Sequence, residues 1–141
     1  MFILDTNVVS ELRQTRTRKP HPRVAAWAQS VDRADLYTTS VTILELEIGV
    51  VLKRRHDAAQ AAIFRTWLDE RVFPAFAGRI LEFDAEAAQQ CAALHVQATP
   101  PYRDALIAGI ALSRRFTVGT RNVRDFQPMG VAVLNPWEDQ A

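Results

Sequence analysis

The sequence predicts an α/β fold, with a central parallel five-stranded sheet and helices on both faces. Two observations carry that reading. Five short β-favouring runs alternate with segments of helical period, the pattern of parallel strands joined by crossover helices. The first run, Phe2-Ile3-Leu4, is apolar throughout and ends in Asp5. That is how a buried parallel strand delivers an acid to its carboxyl end, outside which open α/β sheets bind their ligands. A capping role competes for Asp5, because Asp is also favoured at the start of a helix.

Val8, Val9 and Leu12 set one apolar face of a first helix over Val8–Arg13. Arg13 to Arg23 then holds five Arg or Lys and two prolines, which predicts a basic surface loop. Pro22 suits the first turn of the next helix, with Val24, Trp27, Ala28 and Val31 facing inward. Leu36–Ser40 reads as the second strand, and Ser40 as the cap of a helix over Val41–Arg55. The basic end of that helix, Lys53 to His56, suits the negative pole of its dipole. Asp57 caps a further helix with Ile63, Phe64, Trp67 and Leu68 on one face, closed by Pro74 and Gly78. Arg79–Phe83 is the third strand, and Asp84 caps a helix whose inward residues are Ala87, Cys91, Leu94 and Ala98. After Pro100-Pro101, Asp104 opens a helix over Ala105–Arg114, apolar nearly all round and so buried. Phe116–Thr120 and Val131–Leu134 are the last strands, with a turn over Arg121–Phe126 between them.

At 141 residues, 48% apolar and 23% charged, the composition is that of one soluble globular domain spanning 1–141. A net charge of +1 leaves any anionic partner to local basic clusters rather than to the overall field. One cysteine, Cys91, permits no internal disulfide and no thiolate metal knuckle, and favours a reducing cytoplasm. The apolar run before Asp5 is too short for a signal peptide, and no apolar run reaches bilayer length.

Four carboxylates stand where chemistry would use them: Asp5 after the first strand, Glu45 in the helix after the second, Asp104 at the head of the buried helix, and Asp125 after the fourth strand. With strand order 3-2-1-4-5 the first and fourth strands meet at the switch point, and these acids converge there. Crowded carboxylates call for a cation, and Mg²⁺ or Mn²⁺ is the hard ion that oxygen ligands hold. Such an ion activates water and clamps a phosphodiester in line. Zinc is disfavoured, since His21, His56 and His95 are scattered. Periodicity does not choose between Glu45 and Glu47, although Gly49 lies one turn beyond Glu45.

The chain resembles a PIN-domain ribonuclease of the VapC toxin family, in its FitB-like branch. The residues that carry this are Leu4 to Leu12, Glu45-Leu46 with Gly49, Gly78-Arg79-Ile80-Leu81 with Phe83-Asp84, and Asp104-Ala105-Leu106-Ile107-Ala108. Thr120-Arg121-Asn122, Asp125-Phe126 and Asn135-Pro136-Trp137 complete them. The resemblance implies a PIN-like three-layer α/β/α fold with Asp5, Glu45, Asp104 and Asp125 as catalytic, metal-binding acids. Asn7, Thr120 and Asn122 support them, and Glu47 falls outside the motif. It also implies a Mg²⁺- or Mn²⁺-dependent endoribonuclease, the toxin of a type II toxin–antitoxin pair, with Arg16, Arg18, Lys19 and Arg23 as candidate contacts to the RNA backbone. A VapB-like antitoxin, a homodimer, and operator DNA reached only through the antitoxin are the implied partners. Trp27, Phe64 and Trp67 are candidates for a shared apolar surface, or are simply core. Two departures stand out. The segment before Asp104 is stiffened by Pro100-Pro101 where the family has a glycine-containing linker, and Gly119 replaces a larger strand residue, which predicts a looser edge of the site.

Two other functions compete. A phosphatase with Asp5 as nucleophile wants a second acid two residues on, where Asn7 stands. An interaction protein would keep the fold and act with its antitoxin in a DNA-binding regulatory complex.

Overall fold

A computed structural model describes residues 1–140. Five parallel strands form one sheet in the order β3-β2-β1-β4-β5. They are β1 (Phe2–Leu4), β2 (Leu36–Thr39), β3 (Ile80–Leu81), β4 (Thr117–Gly119) and β5 (Val133–Leu134). The helices are α1 (Thr6–Glu11), α2 (Pro22–Ser30), α3 (Ser40–His56), α4 (Ala58–Trp67), α5 (Phe73–Ala75), α6 (Ala85–Ala93), α7 (Tyr102–Arg114) and α8 (Val123–Phe126). The architecture and strand order are those expected from the sequence.

Alternation along β1 builds the two helical layers, since successive side chains leave a strand on opposite faces. Ile3 joins Ala87, Cys91, Ile107, Ile110 and Phe126 in one core. Leu4 joins Val8, Val24, Trp27, Leu46, Phe64 and Leu68 in the other. Trp27 and Phe64 are therefore core residues, and Trp67 is partly buried against them.

Several local expectations are corrected. Thr39, not Ser40, caps α3, its hydroxyl accepting from Thr42 N–H at 3.1 Å. Ser40 instead accepts from Phe83 N–H at 3.3 Å. The helix begun at Asp57 closes one residue past Pro74 but is not uniform. It widens through one π turn over Leu68–Val72, continues to Ala75, and the chain turns at Gly78 with φ +76°. A proline has no N–H to continue the ordinary ladder, and a wider turn just before it accommodates that loss. Ile63 points outward, whereas Phe64 and Leu68 are buried. α6 ends at Ala93, so Ala98 lies beyond it and is exposed. Arg121–Phe126 is not a plain turn, because its second half is α8. Among the described residues no helix is long and apolar enough to cross a membrane.

Gly109 sets how closely α6 and α7 approach. A Cβ at Gly109 would lie 2.6 Å from the Ala87 carbonyl oxygen and 2.8 Å from Cys91 Cβ. Both obstacles belong to α6, and the first is backbone. Gly109→Ala is therefore expected to force the two helices apart, at a cost on the order of 1–3 kcal/mol, typical of overpacking. Urea unfolding that gives the variant wild-type stability would contradict this packing account.

Candidate active site

Asp5 ends β1 and begins α1, and both roles proposed for it are present. Its Oδ1 accepts from Thr6 N–H at 2.8 Å, capping α1. Its Oδ2 accepts from the Thr120 hydroxyl at 2.8 Å and lies 3.4 Å from the Asn7 amide nitrogen. The carboxyl is only 3% exposed, and burial pushes its pKa up, against the pull of the Thr120 and Thr6 hydrogen bonds. Neutral donors thus fix the orientation of Asp5 without cancelling its charge.

Thr120 is fully buried and also accepts from Asn122 N–H at 3.0 Å. Asn7 bridges the same elements, its amide oxygen accepting from Arg121 N–H at 3.3 Å. Of the three supporting residues, Asn122 acts through its backbone. Gly119 does not loosen this edge: a Cβ there would lie 3.3 Å from Leu4 Cδ2 and 3.5 Å from Trp27 Cη2, so larger neighbours fill the space.

Glu45 faces the same end of the sheet. Its Oε1 accepts from the Thr6 hydroxyl at 3.0 Å, and that hydroxyl lies 3.2 Å from Thr42 Oγ1. Glu47 turns away to Arg65, with contacts of 2.6 and 3.1 Å, and Arg65 also grips Asp69. The two carboxylates hold the Arg65 guanidinium firmly protonated. The geometry thus separates two glutamates that periodicity could not. The space beside Gly49 is taken by the Phe64 ring.

Asp104 lies in the first turn of α7, which begins at Tyr102, directly after the two prolines. Desolvation first, then the charges of Asp5, Asp125 and Glu45 and a hydrogen bond with Asp125, push its pKa up to about 6. The shift places Asp104 within electrostatic reach of all three other acids. Asp125, in α8, is the most exposed of the four. The ion pairs among the described residues leave Asp5, Asp104 and Asp125 without a cation, and Glu45 has only Arg103 at 3.8 Å. No three described acid, His or Cys side chains stand close enough to enclose a metal ion as they are placed. Unneutralised carboxylates repel one another, so enclosing an ion requires side-chain rotation inward. The all-oxygen donor set suits a hard divalent cation, which would relieve the repulsion that adds to desolvation in raising the Asp104 pKa.

The basic loop is less free than its composition suggests. Arg18 folds back onto Glu11 at 2.8 Å and onto the carbonyls of Glu11 and Arg13, while its side chain stays partly exposed. Arg23 reaches Asp139 and the Trp137 carbonyl, each at 3.4 Å, while Arg16 and Lys19 are exposed. Thr42 and Arg103 went unread in the sequence, yet both left a signal. Thr42 lies one helical turn before Glu45, on the same face. Arg103 places a cation in the first turn of a helix, against the dipole, which calls for a nearby anion.

The PIN-domain family pattern matches residues 2–129. This chain belongs to the PIN-domain family. It is 36% identical to VapC ribonuclease Y4jK of Sinorhizobium fredii, over 98% of this chain and 99% of that protein. Toxin FitB of Neisseria gonorrhoeae is 35% identical over 99% of this chain and 100% of its own length. The crystal structure of FitAcB from Neisseria gonorrhoeae superposes with a TM-score of 0.85 at 36% identity, covering 97% of this PIN domain and 99% of that chain.

The charge crowding generates a stability prediction for this PIN domain in metal-free buffer. The Asp104 pKa is raised from 3.8 to about 6, so through that pH window the folded state holds a proton that the unfolded chain has released. Stability must then fall as pH rises through the window. Asp104→Asn removes the effect and should raise the neutral-pH melting temperature by about 2–8 °C, the shift that roughly 1 kcal/mol produces. Melting curves at pH 4.5 and 7.5 check both parts. A variant that loses as much stability as wild type between the two would refute the assignment.

Proposed function

We propose that this chain, acting as a single PIN domain, is a Mg²⁺- or Mn²⁺-dependent endoribonuclease and the toxin of a VapBC-like pair. The observation that carries the reading is the gathering of Asp5, Glu45, Asp104 and Asp125 at the carboxyl end of the sheet with almost no cationic partner. The names of the relatives, a VapC ribonuclease and a toxin, support the substrate class and the role.

Asp5, Glu45, Asp104 and Asp125 would hold the ion. When bound, a divalent ion lowers the pKa of water and offsets charge on the phosphoryl oxygens. The chain's own contribution is orientation. Thr120 and the Thr6 N–H fix the two oxygens of Asp5, and the Thr6 hydroxyl fixes Glu45. Asp104 lies within hydrogen-bond reach of Asp125, and a bound cation would favour its ionised form. Asp125, being exposed, is placed to orient the attacking water.

Two surfaces suit the protein partners. An open cleft of about 850 Å³, lined in part by Val9, Leu12, Trp67, Val72 and Phe76, suits an apolar segment of a VapB-like antitoxin. The antitoxin would in turn carry the complex to operator DNA. Leu44, Val51 and Leu52 form an exposed apolar stripe along α3 and suit a homodimer contact, in place of the buried Trp27 and Phe64.

Cleavage of one single-stranded RNA in Mg²⁺ or Mn²⁺ tests the reading. Asp5→Asn should abolish it, and Glu45→Gln should slow it by orders of magnitude, while Glu47→Gln should barely change it. Glu47→Gln slowing the reaction more than Glu45→Gln would mean that the wrong acid has been assigned. Thr120→Val should leave the acids in place but weaken Mg²⁺ affinity by about 10- to 100-fold, the usual effect of losing a ligand's hydrogen-bonding partner. Titration of activity against Mg²⁺ reads that shift, and an unchanged midpoint would remove Thr120 from the site.

A further inference from the structure

Beside the acids lies a second open cavity, of about 430 Å³, whose lining includes Arg121, Asn122, Arg124, Asp125 and Glu138. It shares Asp125 with the proposed catalytic cluster. Asn7 ties the two together, lying 3.4 Å from Asp5 Oδ2 while accepting from Arg121 N–H at 3.3 Å. Any group seated in this cavity is therefore next to the reacting phosphate.

The cavity wall is built in layers. Trp137 is half-buried and packs against the core that holds Trp27 and Leu4. Arg121 is exposed and lies over the Trp137 ring, its Cζ 5.1 Å from the ring centroid. The Trp137 segment is itself pinned: Trp137 N–H donates to Asn135 Oδ1 at 3.0 Å, and Arg23 reaches the Trp137 carbonyl and Asp139. Arg121 sits over the indole and stays exposed, so its guanidinium face is accessible from outside. Unstacked bases of single-stranded RNA stack on such a face. A point charge for phosphate would need no aromatic ring beneath it, and Arg124 already supplies a cation at the rim.

We propose that this cavity is the subsite for one nucleobase of a single-stranded RNA, next to the cleaved phosphate. Arg121 is the stacking platform and Trp137 the residue that positions it. The proposal rests on the ribonuclease reading and adds where the substrate's flanking base goes. It also explains the place of Arg23, which braces the platform from beneath instead of lying free in the basic loop.

The test uses the full chain carrying Asp104→Asn, in Mg²⁺, so that bound RNA is not cut. Binding of a fluorescein-labelled single-stranded RNA is measured by anisotropy, with one abasic nucleotide stepped through the sequence. One abasic position should weaken binding by about tenfold, as loss of a stacked base does. Arg121→Ala should weaken binding of the intact RNA by a similar factor and abolish sensitivity to that position. Arg121→Lys should recover little, since it restores charge but no plane. Trp137→Phe should keep most of the affinity, and Trp137→Leu should lose it. Arg121 is exposed, so its variants fold, and circular dichroism confirms this for all four. Full recovery by Arg121→Lys, or an abasic scan equally deep in wild type and Arg121→Ala, overturns the platform. Cleavage by the chain with Asp104 intact is followed separately. If that chain cuts no RNA while the abasic signature persists, the ribonuclease reading fails and the cavity stands only as a base-binding site with no cleaved phosphate beside it. If it cuts RNA and the scan is flat, the subsite fails alone.

Discussion

The buried carboxylate of Asp5 is the constraint on which the rest of this structure depends. It sits where β1 gives way to α1, between the two strands that continue the sheet in opposite directions. Removing a carboxylate from water is costly unless its oxygens find donors. Here the donors are a backbone N–H, a threonine hydroxyl and an asparagine amide, all neutral. An arginine in their place would neutralise the site and leave nothing for a divalent ion to bind. Thr120 is thus both a packing residue, fully buried behind β4, and an electrostatic choice.

That choice propagates outward. Because the donors around Asp5 are neutral, each neighbouring acid is held in place by some other contact. Glu45 is held by the Thr6 hydroxyl and by one long contact to Arg103, and Asp104 by the rigid start of α7 after Pro101. The dense packing of α6 on α7 through Gly109 makes α7 a fixed mount rather than a mobile one. Glu47 shows the contrast. It lies two residues from Glu45 on the same helix and is spent on a salt-bridge network with Arg65 and Asp69 that needs no other ion.

Much of this was legible in the sequence, for identifiable reasons. An apolar run ending in an acid, alternating strands and helices, and a helix apolar all round have few folded solutions, and the expected strand order is the one observed. What escaped was set by side-chain direction and tertiary competition. α3 is apolar on both sides, with Leu46 and Val50 inward and Leu44 and Val51 outward, so its periodicity could not rank Glu45 and Glu47. Thr39 and Ser40 are adjacent hydroxyls, and the cap fell to Thr39 because Ser40 is used by Phe83 N–H. The neighbours of Ile63 predict it inward, yet α4 buries Ala61 and Phe64 and leaves Ile63 exposed. The basic loop is uniform as text, but Arg18 is partly engaged with the Glu11 carbonyl and carboxylate at the end of α1.

A net charge of +1 conceals the polarity that matters for an anionic polymer. In the proposed ribonuclease, four acids with one arginine at 3.8 Å would repel RNA at the point of cleavage. Opposite charges separated by less than a Debye length, about 8 Å at physiological salt, can act on one substrate locally. Arg121 and Arg124 share one cavity with Asp125, which brings both signs of charge to a single surface. Arg121 stays exposed while its Cζ lies 5.1 Å from the Trp137 ring centroid, so the ring holds the guanidinium in place without burying it. The cations near the acids are thus few and positioned, instead of many and diffuse. The chain can then admit a polyanion to an acidic site without a basic surface that would bind every other one.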